Sequence, residues 1–556
     1  MIHKLRLKFG KAPGSTEEEI STTPVTVFVG PNNSGKSKIL AEIYRFCSTG
    51  QENTLDVILD AIQFGSLTET AAEARVAHVT LAPYATESLH PEHIIVGKRG
   101  ARHQVDRREI VAALQNPNLR TVHFCQWYLQ FNTLILDGQS RISLINNQPA
   151  GDLQQPPHSS FQVLFRDDAR RGEVRRIIYE AFNAYFVIDP TSLGQLRLRL
   201  SPVPPSSTME ERGIHEEAVR FHAGALPIEQ ASDGIKAFTG MITETIAGDP
   251  AVLLIDEPEA FLHPSLAFKL GDEIARASLG SDKRLFVSTH SPNFVMGCIQ
   301  SGAPVNIVRL TYRDRTATAR VLPNEDILRL MRNPLLRSTG VLSGLFYEFV
   351  VVVEADADRA FYQEINERLQ RYMPELGIPN CLFINAQNKQ TVQTIIRPLR
   401  DLGIPAAGIV DIDILKEGGS VWSSFLESAF IPDIERSNLS TARAAVKQRF
   451  DQTGKDMKRA GGIQLLAAGD REATTNLLER LAEYGLFVVA NGELESWLKS
   501  LGATGHGPAW LISVFEKMGE DPTSSAYLKP ADADVWTFLG SMKRWLTNPR
   551  RKGIPA

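Results

Sequence analysis

The stretch VTVFVGPNNSGKSKIL (25–40) constrains the fold more than any other part of this 556-residue chain. Val25, Val27 and Val29 alternate as a short buried strand, and Ile39, Leu40, Ile43 and Cys47 then recur on one face of a helix. Between them GPNNSGKS (30–37) matches G-x-x-x-x-G-K-[ST], a phosphate-cradling loop that needs a strand before it and a helix after it. Gly30 and Gly35, with Asn32, Asn33 and Ser34 between them, let backbone N–H groups turn toward an anion at the helix N-terminus. Lys36 is expected to reach the β- and γ-phosphates of ATP, and Ser37 to ligate Mg²⁺.

AVLLIDEPE (251–259) supplies the second half of such a site. Its apolar run has strand length and ends in Asp256, expected to hold Mg²⁺ through water, and Glu257, expected to orient the attacking water. RLFVSTHSP (284–292) is a further strand ending in His290, placed to sense a γ-phosphate. In ASDGIKAFTG (231–240), Ser232 and Gly234 begin a helix whose N-terminus can contact a phosphate. Together these segments resemble the ATP-binding-cassette (ABC) class of ATPase, in the branch holding DNA-repair and SMC-type heads. The resemblance implies two heads sandwiching ATP, hence a homodimer or higher oligomer. The signature reads SDG where transporters have Ser-Gly-Gly, and Gln126 is the candidate for a glutamine loop.

From about residue 346 strands and helices alternate, which predicts a parallel sheet with functional groups at its C-terminal edge. Glu354 closes the strand YEFVVVVE, and Asp356 and Asp358 fall in the first turn of the next helix. Asp411 and Asp413 end the strand AAGIVDID, where a period of two points both the same way and turns Ile412 to the core. Carboxylates this close repel unless a cation neutralises them, and hard oxygen ligands suit Mg²⁺ or Mn²⁺, with two ions expected. Helix capping accounts for Asp356 and Asp358 singly but not for Glu354 with the Asp411/Asp413 pair.

E-x-x-x-D at a strand–helix junction followed by D-x-D resembles the Toprim domain of topoisomerases, primases and OLD-type nucleases. That resemblance implies catalytic roles for Glu354 and Asp411 and metal ligation by Glu354, Asp358, Asp411 and Asp413. It adds Glu493 or Glu495 as a further ligand and Lys543 as a lysine stabilising the cleaved phosphate. Position 355 is Ala where that family usually has Gly. An ABC head followed by Toprim is similar to the OLD (overcoming lysogenization defect) family, including the nuclease subunit of Gabija and related antiphage systems.

The expected architecture is therefore α/β: an ABC-type ATPase domain over 1–340, then a Toprim domain over 341–556 with a helical C-terminal part. An insertion at roughly 95–230 is expected to carry dimerisation helices near 168–186, and ILDGQSRISLI (135–145) reads as a hairpin about Asp137-Gly138. The implied activity is an ATP-hydrolysing, metal-dependent DNA endonuclease in antiphage defence, gated by nucleotide and aided by an accessory subunit. The alternative is an ATP-driven switch or scaffold whose Toprim domain is inactive or cuts RNA and which acts through a partner protein. Net charge of −4 gives no global nucleic-acid signature, leaving the basic clusters at 97–108 and 441–459 as candidate DNA contacts. The four scattered cysteines suit a reducing compartment, and no apolar run nears the roughly 18 residues of a membrane span. The opening MIHKLRLKFGKAPGS lacks the apolar core of a signal peptide, so a cytoplasmic protein is expected.

Overall fold

The computed structural model describes residues 1–84, 87–98, 101–248, 250–280, 282–322, 325, 327–328, 332, 334 and 340–555. Arg99 and Gly100 of the first basic cluster, and 335–339 beside the expected domain boundary, lie outside the described residues. The chain forms two compact units. One is Met1–Val29 with Asn33–Glu325, and the other is Gly30–Asn32 with residues 326–556.

In the first unit β1 (Val25–Val29), β2 (Thr133–Leu136), β3 (Val252–Asp256), β4 (Arg284–Ser288), β5 (Val305–Arg313) and β6 (Thr316–Leu322) form one sheet. Its order is β6-β5-β1-β4-β3-β2, parallel throughout except at the β5–β6 hairpin. Every residue of β1 is buried, not alternate ones, because a parallel strand inside such a sheet is covered on both faces. Helix α1 (Lys36–Thr49) buries Ile39, Leu40, Ile43 and Cys47, the face its periodicity indicates. Register opposes Asp256 of β3 to Ser288 of β4, so sheet pairing itself brings these two side chains together.

Two expectations are corrected here. Residues 135–145 are not a hairpin: β2 lies parallel beside β3, and Ser140–Ser143 turn into a short helix after Asp137. Pairing with Val252–Ile255 outweighs the local turn signal. Nor is 168–186 wholly helical. Helix Asp168–Phe182 ends at Asn183, and Tyr185–Asp189 pairs antiparallel with Gln195–Ser201, so the insertion mixes helix and sheet.

Helix α2 (Asp233–Thr243) precedes β3, while α3 (Pro264–Ala277) follows β3 and α4 (Pro292–Gln300) follows β4. The contact between α3 and α4 is made by glycines. A Cβ on Gly297 would overlap the Phe268 carbonyl and stand 2.8 Å from the Asp272 nitrogen. Gly297→Ala is therefore expected to destabilise this unit by about 1–3 kcal/mol, the cost of overpacking. Thermal unfolding checks this, and an unchanged Tm would contradict it.

In the second unit β7 (Phe349–Val353), β8 (Cys381–Asn385), β9 (Ala406–Asp411) and β10 (Leu486–Val489) form an all-parallel sheet ordered β8-β7-β9-β10. Helix α5 (Asp356–Tyr372) buries Phe361, Ile365 and Leu369, and α6 (Lys389–Asp401) covers β9. Helices α7 (Asp433–Gln452) and α8 (Asp534–Thr547) are among the later helices of the unit, with Trp536, Leu539 and Trp545 of α8 in the core beside β7 and α5. The chain leaves β7 for β8 on one side, then crosses to β9 on the other. In an open parallel sheet that reversal opens a crevice at the strands' carboxyl ends, and here it falls between Glu354 and Asp411. Among the described residues no helix is long and apolar enough to cross a membrane.

Candidate functional site

After β1 the backbone turns through left-handed conformations at Gly30 (φ 146), Asn33 (φ 61) and Gly35 (φ 96) before α1 begins. These are the torsions that aim successive N–H groups inward, and glycine, with asparagine next, adopts them most readily. A Cβ on Gly35 would also stand 2.5 Å from Ile58 Cδ1. Lys36 is buried, which pulls its pKa down to about 8 against the opposing charges of Glu257, Asp256 and Glu259. Ser37 Oγ donates to Asp256 Oδ1 at 3.0 Å, and Ser288 Oγ donates to the same oxygen. Ser34 Oγ is buried and has no hydrogen-bond partner among the described residues. A cradle of inward N–H groups, an unspent hydroxyl and a buried lysine fit the triphosphate of a nucleotide, with Ser37 and Asp256 placed for its cation.

Glu257 sits at φ 50, a strained conformation for a residue with a Cβ. Its N–H donates to the Ser288 carbonyl at 2.9 Å. The buried Arg141 guanidinium donates to the carbonyls of Asp256 (3.0 Å) and Glu257, locking the turn from the other side. His290 Nε2 lies 3.8 Å from Glu257 Oε1, and the His290 N–H donates to Glu259 Oε1 at 2.7 Å. Burial, and then the Lys36 charge, pull the His290 pKa down, favouring a neutral ring. Ser232 precedes α2, is exposed and spends no side-chain hydrogen bond on capping it. Gly234 permits close approach of α2, since a Cβ there would be 2.6 Å from the Phe261 carbonyl oxygen. Gln126 is corrected: its amide donates to the Thr49 carbonyl (3.5 Å) at the end of α1 remote from Lys36.

At the second sheet Glu354, Asp411 and Asp413 bring one carboxylate oxygen each within 4.8 Å of one another. The Asp411 N–H donates to Glu354 Oε1 at 2.9 Å, tying the ends of β7 and β9 together. Asp413 reaches the group differently from the expected period of two: β9 stops at Asp411, and Asp413 lies in the 3₁₀ turn Ile412–Lys416. Its Oδ2 accepts from Lys389 Nζ at 2.8 Å, while its buried Oδ1 has no partner among the described residues. Asp358 Oδ2 accepts the Ala355 N–H at 2.9 Å. Ala355 has φ −138, so the extended backbone there holds alanine without strain.

Glu493 and Glu495 come together with His506, again within 4.8 Å. Glu495 Oε1 lies 2.6 Å from His506 Nδ1 and accepts the Gly507 N–H at 2.7 Å. Lys543 is corrected: its ammonium donates to the carbonyls of Pro374 and Glu375 at 2.8 Å, just past the end of α5. Lys458 reaches the acids as Lys389 does, 2.7 Å from Asp411 Oδ2 and 3.8 Å from Glu493 Oε2.

Burial raises the pKa of Glu354, with Asp411 adding to it, and raises Asp411 in spite of Lys458. Burial and the Asp411 charge push Asp358 up to about 7. Three converging carboxylates with an unsatisfied oxygen fit a hard divalent cation. A carboxyl whose folded pKa is raised contributes stability at low pH and loses it as pH rises through the folded value. The cation-free protein should thus lose on the order of 3 kcal/mol between about pH 4 and 7 as Asp358 ionises. Urea unfolding in EDTA checks this, with a shallower slope in Asp358→Asn. A stability that rises across the window would contradict it.

Arg141, Lys389, Lys458 and His506 had no signal in spacing. Lys458 belongs to the 441–459 cluster read as a DNA contact, but that cluster is largely paired within the fold. Arg443 donates to the Leu415 and Glu417 carbonyls, and Lys447 and Arg449 pair with Asp451 and Asp470. In the first cluster Arg102, Arg107 and Arg108 pair with Glu87, Glu73 and Glu92.

Two family models match. Residues 141–296 match "AAA domain, putative AbiEii toxin, Type IV TA system". Residues 345–413 match "Overcoming lysogenization defect protein-like, TOPRIM domain". Similar solved structures include an Smc head bound to the C-terminal winged-helix domain of ScpA. It is 16% identical over 59% of this chain and 99% of its own, with TM-score 0.35. The SMC head of Thermotoga maritima is 14% identical over 58% and 98%, with TM-score 0.27. An Smc head with an extended coiled coil, from Pyrococcus furiosus, is 16% identical over 60% and 98%, with TM-score 0.29. No curated protein matches the chain.

Proposed function

We propose, from an ATPase domain followed by an OLD-like Toprim domain (the architecture of the OLD family), that this chain is a divalent-metal-dependent DNA endonuclease gated by ATP. The observation that carries the reading is the convergence of Glu354, Asp411 and Asp413 at the crevice where the parallel sheet reverses its strand order. Glu354 and Asp411 would hold the cation, their relative position set by the Asp411 N–H on Glu354. Asp413, with an oxygen to spare, would complete that set, and Asp358, Glu493 and Glu495 supply further acid nearby. A divalent cation bound there supplies charge neutralisation for a phosphodiester and lowers the pKa of its water.

In the head Lys36, Ser37 and Asp256 would bind the triphosphate and its Mg²⁺, while Glu257, with His290 beside it, would orient the attacking water. Ser232 and Gly234, at an exposed helix start, would complete the site of a second head, so the working form is a homodimer or larger. On this reading the ATPase domain spans 1–340, the Toprim domain 341–556, and the protein is a cytoplasmic antiphage effector with an accessory subunit.

The test is incubation of the full chain with plasmid and linear DNA in Mg²⁺, Mn²⁺ or EDTA, with and without ATP. Cation-dependent nicking that ATP alters is the expected result. No cleavage of DNA under any condition, with RNA cut instead, would reassign the substrate; no cleavage of either would remove the nuclease reading.

A further inference from the structure

The acidic crevice carries its own cation. Lys458 lies beyond the end of α7, in a turn that is fixed on two sides. Its N–H donates to Asp456 Oδ1 at 3.1 Å, and Asp456 is in turn paired with Lys416 at 3.1 Å. Its carbonyl packs on Gly492, whose φ of 128 and missing Cβ allow the contact, since a Cβ there would overlap the Lys458 oxygen. The following residues join the loop after β10, with the Ile463 N–H donating to the Ala490 carbonyl at 2.9 Å. Met457, next to it, is buried. The backbone therefore delivers this ammonium to the strand ends as a fixed part of the crevice.

The two carboxylates it meets are nearly out of solvent, with side chains 13% (Asp411) and 11% (Glu493) exposed. An exposed ion pair is worth little, but a buried carboxylate stripped of its counter-charge costs several kcal/mol. Lys458 thus performs for the cation-free crevice the neutralisation that a divalent ion would perform for the loaded one. The two compete, because a dication held by Glu354, Asp411 and Asp413 would share the carboxylate that the ammonium holds. Two like charges about 4 Å apart repel strongly in a partly buried site.

Building on the metal-dependent reading above, we infer that Lys458 is a displaceable counter-ion. It holds Asp411 and Glu493 when the crevice is empty of metal, leaves Asp411 when a divalent cation enters, and so sets the cation concentration at which the site loads. Lys389, bonded to Asp413 and Glu417 at 2.8 and 2.9 Å, holds the opposite flank of the crevice.

The experiment is Mn²⁺ binding to the full chain, read by electron paramagnetic resonance of the free ion, with unfolding temperatures in EDTA and in Mn²⁺. It compares the wild type with Lys458→Met, which keeps length and packing, and Lys458→Arg, which keeps charge. Lys458→Met is expected to bind Mn²⁺ about tenfold more tightly, to have a lower Tm in EDTA and to gain more from Mn²⁺. Lys458→Arg should bind as the wild type does. Equal or weaker Mn²⁺ binding by a folded Lys458→Met protein overturns the inference, because a merely structural lysine would loosen the site when lost. Mn²⁺ binding by neither wild type nor Lys458→Met would instead overturn the metal-site reading beneath it.

Discussion

Asp411→Ala is expected to lower DNA cleavage by at least about 10²–10³-fold, the scale for removing one group that stabilises charge at a reacting centre. ATP hydrolysis should stay within about twofold of wild type, since the residue belongs to a different sheet from the one that carries Asp256 and Ser288. Asp411 is the right residue to change because it does three things. It ends β9 at the crevice, orients Glu354 through its N–H, and faces Lys458 with its carboxylate. Its N–H survives in the alanine variant, so the Glu354 contact is kept and only the carboxylate is lost. Asp411→Asn is the companion: it preserves shape while removing the charge that a dication needs. The check is plasmid nicking beside phosphate release on the same preparations, with unfolding curves to show that Lys458 has not destabilised the variant. Cleavage at wild-type rate in folded Asp411→Ala would place the chemistry elsewhere.

What could be read from the residues alone divides along a physical line. The phosphate loop, Asp256 with Glu257, and Glu354 with Asp411 were legible because each is tied to a local event, a strand ending in a tight turn, that leaves a short spacing in the chain. Groups that reach a site from a distant loop leave no such trace. Arg141 clamps the Glu257 turn from beyond β2, and Lys458 enters from beyond α7. Asp413 was identified for a reason that does not hold, since it lies on a 3₁₀ turn and not on the strand. The Asp137-Gly138 turn signal was real, but sheet pairing of Thr133–Leu136 with Val252–Ile255 decided the conformation. Lys543 shows the converse error, a basic residue given a catalytic role when its hydrogen bonds are to carbonyls beyond the end of a helix.

Glu257→Gln should separate nucleotide binding from hydrolysis. The glutamine keeps the size of the side chain, and the turn at φ 50 stays fixed by Arg141 and the Ser288 carbonyl, neither of which touches the carboxylate. Removing the charge beside His290 should therefore cost about 10²–10⁴-fold in ATP hydrolysis, the range for a lost general base, with little change in ATP affinity. Lys36→Ala should do the reverse and weaken ATP binding by about 100-fold, a loss of about 2.7 kcal/mol. The buried Lys36 has its pKa pulled down to about 8, and an arriving phosphate restores its full charge and is bound by it. Binding of a fluorescent ATP analogue and phosphate release distinguish the two. One variant is then held with ATP bound and the other without it. If nucleotide state controls the acidic crevice, their DNA-cleavage rates in ATP must differ, and a coupling of about 1–3 kcal/mol corresponds to about 5–150-fold. The faster variant identifies whether bound ATP releases or restrains cutting. Equal rates would mean that the two sites act independently, and gating would be withdrawn while both activities stood.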